Sequence, residues 1–144
     1  MLFSKRKQLV KRILVVEDEP LTAFENEMML KSAGYELVAT VDRVSDAEAR
    51  LDSDAIDLIL SDVRLSGKRS GLDLARIARH RGVPVLFATG SAPDNAADLS
   101  IGVLMKPYNE RVLRAALVAV DDHLQGKTVK PPSGLTLYPL PVEG

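Results

Sequence analysis

Cysteine and tryptophan are absent from the chain, and tyrosine and phenylalanine contribute three residues each. Without cysteine there are no disulfides, no thiolate metal sites and no thiol nucleophile. With so few aromatics, leucine, valine, isoleucine and alanine must build any core. No stretch approaches the roughly 20 apolar residues of a membrane-spanning helix. A secretory leader is not expected either, because the first apolar run after the basic start, Ile13-Leu14-Val15-Val16, stops at Glu17-Asp18. A cytoplasmic protein with no membrane contact is the expectation. Neither sign of charge dominates: 19 Lys and Arg face 20 Asp and Glu. That balance removes the electrostatic case for direct nucleic-acid binding. The short basic cluster Lys5-Arg6-Lys7 with Lys11-Arg12 reads as part of a solvated N-terminal tail, residues 1–10.

What is present is the makeup of one folded domain: 144 residues, 46% hydrophobic and 27% charged. Strand and helix signals alternate over residues 11–125. Residues 13–16, 36–41, 57–61, 83–89 and 101–105 are short apolar runs bounded by polar and turn residues, the pattern of strands buried on both faces. Pro20 opens a helix whose Leu21, Phe24 and Met28 recur at helical spacing, with Met28 and Met29 read as packing residues; Gly34 closes it. Residues 45–51 predict a second helix capped by Ser45, and residues 72–80 a third ended by Gly82. Residues 90–100 carry a weak signal for a short fourth helix. Residues 110–124 predict a fifth, apolar around much of its circumference, which suggests either a wide core face or a surface for a partner or a second copy. His80 and His123, near helix ends, read as surface residues. Residues 126–144, with Pro131, Pro132, Pro139 and Pro141, read as an extended tail rather than a packed element. Five βα units imply a doubly wound parallel sheet with five helices.

The strand ends carry the chemistry. In an open α/β sheet, ligands bind at the carboxyl ends of the strands. The first run ends on Glu17 and Asp18, the third on Asp62, the fourth on Thr89 and the fifth on Lys106-Pro107. Three carboxylates on one rim repel unless a cation neutralises them, and an all-oxygen site favours magnesium, manganese or calcium. A carboxylate nucleophile, a divalent ion, a hydroxyl and an ammonium together can accept a phosphoryl group. Asp62 would attack. Asp18, Asp62 and the Arg64 carbonyl would hold the metal, with Glu17 direct or through water. Lys106 and Thr89 would bind phosphoryl oxygens, and Gly90 would leave open space beside the aspartate. A cis bond before Pro107 would turn Lys106 into the site.

The order of acid pair, Asp, Thr and Lys-Pro resembles the receiver domain of two-component response regulators over residues 11–125. That resemblance implies a flavodoxin-like (CheY-like) fold with strand order 2-1-3-4-5, as in the receiver that serves as a standard instance of this order. It also implies phosphorylation of Asp62 by a sensor histidine kinase docked near the first helix, with Mg2+ as cofactor. Self-catalysed dephosphorylation and signalling through helix 4, strand 5 and helix 5 follow from the same likeness. Nothing after Gln125 is long enough for a DNA-binding output domain, so a stand-alone, single-domain regulator is expected. Phe87-Ala88-Thr89-Gly90 is similar to the signature of an alphaproteobacterial receiver subfamily, which implies kinases of the HWE or a related type; Ser91-Ala92 then depart from it. Receivers carry an aromatic switch residue three positions before the lysine, and here that position is Val103. Ser66 replaces a familiar proline, and Lys68-Arg69 make the loop after Asp62 basic.

Two rivals stand beside this reading. An aspartyl phosphatase or phosphotransferase of the haloacid dehalogenase type would place a second Asp two residues after the first, where this chain has Arg64. A phosphorylation-independent interaction module is the other, and Val103 is the residue that favours it.

Overall fold

The short apolar runs become strands because both of their faces are covered. In the computed structural model, which describes residues 7–140, β1 (Arg12–Val16), β3 (Leu58–Ser61), β4 (Val85–Thr89) and β5 (Gly102–Met105) are buried along almost their whole length. β2 (Glu36–Val41) lies at one edge and is half-buried. The pairs β1–β2, β1–β3, β3–β4 and β4–β5 are all parallel, giving the expected order 2-1-3-4-5.

Side chains alternate between two apolar layers, as the period of two in a strand requires. Ile13, Val15, Leu58, Leu60, Leu86 and Leu104 face α1 (Pro20–Ser32) and α5 (Glu110–Leu124), which contribute Leu30, Leu113, Leu117 and Val120. Leu14, Val16, Ile59, Val85, Phe87 and Val103 face the other way. They meet Val44 and Ala47 of α2 (Val44–Ser53), Leu74 and Ala78 of α3 (Gly71–His80), and Ala96 of α4 (Ala96–Leu99). The sheet is therefore doubly wound, with five helices.

Several local expectations are corrected. The stripe Leu21, Phe24, Met28 is the outward face of α1, 63%, 57% and 56% exposed. The buried face is Ala23, Asn26 and Leu30, with Met29 packed at its margin; periodicity defines a face but not the side it turns to the sheet. α2 starts at Val44, before the expected Ser45 cap, because the Val44 side chain is buried; Arg43 is the N-cap and makes no side-chain cap bond. α3 starts at Gly71 behind a reciprocal cap in which the Ser70 side chain and Asp73 each accept from the other's end of the first turn. β4 begins at Val85, leaving Pro84 outside the strand with its carbonyl accepting from Ile59. On α5, Ala115 and Val118 face solvent while the rest of the stripe is core.

The ends of the chain pack more than composition suggests. Lys5, Arg6 and Pro141 lie outside the described residues. Residues 9 and 10, expected in a free tail, are tied down: Val10 is fully buried, and the Leu9 and Val10 amides donate to the carboxylate of Asp121, itself 1% exposed. The C-terminal segment carries a sixth strand, β6 (Leu135–Leu137), antiparallel to β5 with Gly102 opposite Leu137 and Leu104 opposite Leu135. Its alternation places Leu135 in the layer under α5, and Pro132 and Pro139 flank it rather than interrupt it. A strand of three residues between prolines is too short for periodicity to reveal. His123 is drawn in with it, its Nε2 donating to the Tyr138 carbonyl at 2.6 Å.

Asp121→Ala should strip the Leu9 and Val10 amides of their acceptor at a buried site. A loss of about 1–3 kcal/mol is expected. Urea denaturation should show a lower midpoint with an unchanged slope.

Candidate functional site

Backbone pairing brings the strand ends together. Glu17 follows β1 and donates its amide to Val41; the Asp62 amide, just past β3, donates to Val16; the Lys106 amide, just past β5, donates to Thr89. Glu17, Asp62 and Lys106 are thus set by the sheet rather than by a free loop. α3 closes behind them. The Gly71 amide donates to the Val63 carbonyl at 2.7 Å, and a Cβ on Gly71 would overlap the Asp62 carbonyl oxygen. Only glycine permits that approach.

The structure brings the side chains of Glu17, Asp18, Asp62 and Lys106 together. Carboxylate oxygens of Glu17, Asp18 and Asp62 lie within 4.8 Å of one another. Lys106 Nζ donates to Glu17 Oε1 at 2.5 Å and to Asp62 Oδ2 at 3.1 Å. Asp62 Oδ1 accepts from the Val63 amide at 2.7 Å and the Arg64 amide at 3.3 Å, which fixes the carboxylate plane. Glu17 is 4% exposed and Asp18 stands in solvent, so the cluster opens on one side. Burial pushes the Glu17 carboxyl above its ordinary value, with the Asp62 charge adding to the rise; the Lys106 bond and the Glu19 amide only partly offset it. Burial alone would lower the Lys106 ammonium, but the Glu17 and Asp62 carboxylates hold it above its ordinary value. A clustered, hard, all-oxygen donor set of this kind fits a small divalent cation. Receiver domains typically bind Mg2+ at such an acidic cluster.

Thr89 ends β4 and is 7% exposed; its hydroxyl donates to the Ser91 carbonyl at 3.1 Å and accepts from the Ser91 amide at 3.2 Å. It is held by the β4–α4 loop. A Cβ on Gly90 would meet open space, as expected, and the Lys106–Pro107 bond is cis. Val103 is 1% exposed in the layer with Phe87. The Ser66 hydroxyl approaches Asp18 Oδ2 at 3.4 Å, and Arg69 pairs with Glu48.

Two residues beside the site were missed. The Tyr108 hydroxyl donates to Asn26 Oδ1 at 2.7 Å, joining the turn after Lys106 to α1. Asn26 is 2% exposed. Burial, reinforced by the Glu17 and Asp62 charges, pushes the Tyr108 phenol far up despite the Asn26 bond, so it stays protonated. The legible signal was a polar residue in step with Ala23 and Leu30, but it needed the buried face of α1 to be known.

Fold and site together define a response-regulator receiver. Residues 13–118 match the family model for the response regulator receiver domain, and the chain belongs to that family. It is 34% identical over 125 residues to the response regulator protein PmrA of Pseudomonas aeruginosa, covering 82% of this chain and 56% of that one. It is 33% identical over 114 residues to the uncharacterized transcriptional regulatory protein YrkP of Bacillus subtilis, covering 75% and 48%. The chain spans about half the length of these curated relatives. Among solved structures it resembles SdrG from Sphingomonas melonis Fr1, with 35% identity, 79% and 98% of the chains covered and a TM-score of 0.67. The chemotaxis regulator CheY4 of Vibrio cholerae shares the fold at a TM-score of 0.67, covering 77% and 98%, with 24% identity. Receiver domains are signalling modules, generally non-enzymatic, and imply a cognate histidine kinase or phosphotransfer partner. Among the described residues no helix is long and apolar enough to cross a membrane.

A Glu17 pKa raised on folding means the folded chain binds this proton more tightly than the unfolded chain. Its contribution to stability is therefore full below the ordinary value of 4.5 and lost as pH rises through the raised folded value. In EDTA, Glu17→Gln should gain stability relative to wild type as pH rises from about 4 to about 8, read by urea midpoints. Tyr108→Phe should cost about 1–3 kcal/mol by leaving buried Asn26 without its donor, measured the same way.

Proposed function

We propose that Asp62 accepts a phosphoryl group and that the chain works as a response regulator. The observation that carries this is the Lys106 ammonium bridging Glu17 and Asp62 within a three-carboxylate cluster. An Asp62 oxygen attacks the phosphorus of a phosphohistidine, forming an acyl phosphate while the phosphorus–nitrogen bond breaks and the donor imidazole is released. Asp18, Asp62 and the Arg64 carbonyl, with Glu17 direct or through water, would hold Mg2+. Bound there, the ion supplies charge neutralisation at a phosphoryl oxygen. Lys106 exchanges a carboxylate for a second oxygen. Thr89 leaves Ser91 and donates its hydroxyl to a third, in the space that Gly90 leaves.

The donor is a sensor histidine kinase in the cytoplasm, of the HWE or a related type given the Phe87 to Gly90 run. It docks on the exposed Leu21, Phe24 and Met28 face of α1, whose first turn adjoins Asp18. The signal leaves through α4, β5 and α5, toward a second copy or a downstream partner. β5 has no aromatic at Val103 to report the motion of Thr89, so the release of Ser91 and its loop carries it instead. Val103 also supports the second reading, a receiver-fold interaction module that works without phosphorylation. Arg64 two residues after Asp62 lacks the acid a phosphatase of the aspartyl type would use there.

Incubation with acetyl phosphate and magnesium tests the assignment by intact mass. One phosphoryl gained by wild type, and none by Asp62→Asn or in EDTA, is expected. No gain even with a histidine kinase supplied would favour the interaction module.

A further inference from the structure

β6 occupies the outer edge of β5, and nothing else in the described sheet pairs with it. Its attachment is short: three register pairs, extended by Met105 donating to Gly134 at 2.9 Å and Tyr138 donating to Ile101 at 3.0 Å. Yet the contact is specified by sequence. A Cβ on Gly102 would overlap the Thr136 carbonyl oxygen, so glycine at that point of β5 makes room for the strand. Leu135 is buried and Leu137 half-buried in the α5 layer, and His123 of α5 holds the Tyr138 carbonyl. Gly126 and Gly134, with φ of 79° and 89°, bound the connecting segment as turns, which lets it return from α5 to the sheet. The segment is fitted to the edge but fixed along one side only.

The same stretch of backbone serves the site. The Met105 amide points to Gly134, and the next amide, that of Lys106, points to Thr89. One peptide unit separates the bond that holds the strap from the bond that joins β5 to the switch threonine. A phosphoryl group that drew Lys106 and Thr89 toward Asp62 would act on that unit, from which the Met105–Gly134 bond also hangs.

We propose that the β5 edge is a strand-docking surface, covered by residues 134–138 in the unphosphorylated chain and opened to an extended partner segment when Asp62 is phosphorylated. This rests on the receiver chemistry proposed above. The segment that fits has the pattern of the strap itself, apolar side chains at alternate positions facing α5, with main-chain hydrogen bonds supplying the rest of the affinity. The strap sets a threshold, since a partner strand must compete with a tethered one at high effective concentration.

Hydrogen exchange read by mass spectrometry on the full chain, with the phosphoryl content of each sample taken from its intact mass, tests this. In the loaded chain, residues 101–105 and 134–138 should exchange at least about tenfold faster while β1 and β3 stay protected. A labelled peptide with the sequence of residues 133–140 should bind the loaded chain at least about tenfold more tightly than the unloaded one. Full loading with unchanged exchange at 134–138, or with no gain in peptide binding, overturns the inference and leaves the receiver reading intact. No phosphoryl gain overturns that reading and this inference with it. Gly102→Ala tests release without phosphorylation: residues 134–138, and the β5 amides that pair with them, should lose protection while β1 and β3 keep theirs. Loss through β1 and β3 as well would make strap and sheet one unit and overturn the proposal.

Discussion

The repulsion among three carboxylates at one rim of the sheet is the constraint on which this molecule turns. Two like charges about 4 Å apart at an effective dielectric of about 20 repel by roughly 4 kcal/mol. The fold nevertheless holds Glu17, Asp18 and Asp62 within reach of one another, and buries Glu17. It does so because Glu17 and Asp62 follow strands whose backbone bonds fix their positions, and because Lys106 lies across both of them. One ammonium against three acids leaves the cluster short of positive charge. In the proposed function, that shortfall is what would let a cation, and then an incoming phosphoryl group with its own demand for Lys106, redistribute the contacts.

That redistribution has defined routes. Lys106 and Thr89 are joined through the backbone, and Thr89 grips the β4–α4 loop through both of its hydrogen bonds to Ser91. Val103 is packed against the α2–α4 layer and carries no polar handle. In the proposed function, motion of the threonine would pass through the loop and through β5 itself, along whose far edge the C-terminal segment lies. The Tyr108–Asn26 bond runs the other way, tying the turn after Lys106 to the helix whose apolar face is open to solvent.

Most of the sheet and the site were legible because both follow from short-range pattern. Apolar runs bounded by turns gave the five parallel strands, and the residues at or just past their ends gave Glu17, Asp18, Asp62, Thr89 and Lys106. What escaped depends on facts that no window contains. The stripe Leu21, Phe24, Met28 has helical period whichever way it points, and only the small Ala23 and the neighbouring core decide that it points outward. Asp121 reads as one of two adjacent acids near the end of α5 until residues 9 and 10 are found against it. β6 is three residues between prolines, and its partner is an edge that exists only once β5 has formed. Gly102 was the trace of it in the sequence, a glycine inside a strand where another backbone comes close.

The most direct test of the electrostatic account is a structure of the chain with magnesium and beryllofluoride, a mimic of the acyl phosphate. The account predicts the fluoride adduct on Asp62, a cation among Asp18, Asp62 and Glu17, Lys106 Nζ moved from Glu17 to a fluorine, and the Thr89 hydroxyl moved from Ser91 to another. Full occupancy of both ligands with Lys106 still on Glu17 and Thr89 still on Ser91 would contradict it. So would a carboxylate cluster that takes up neither.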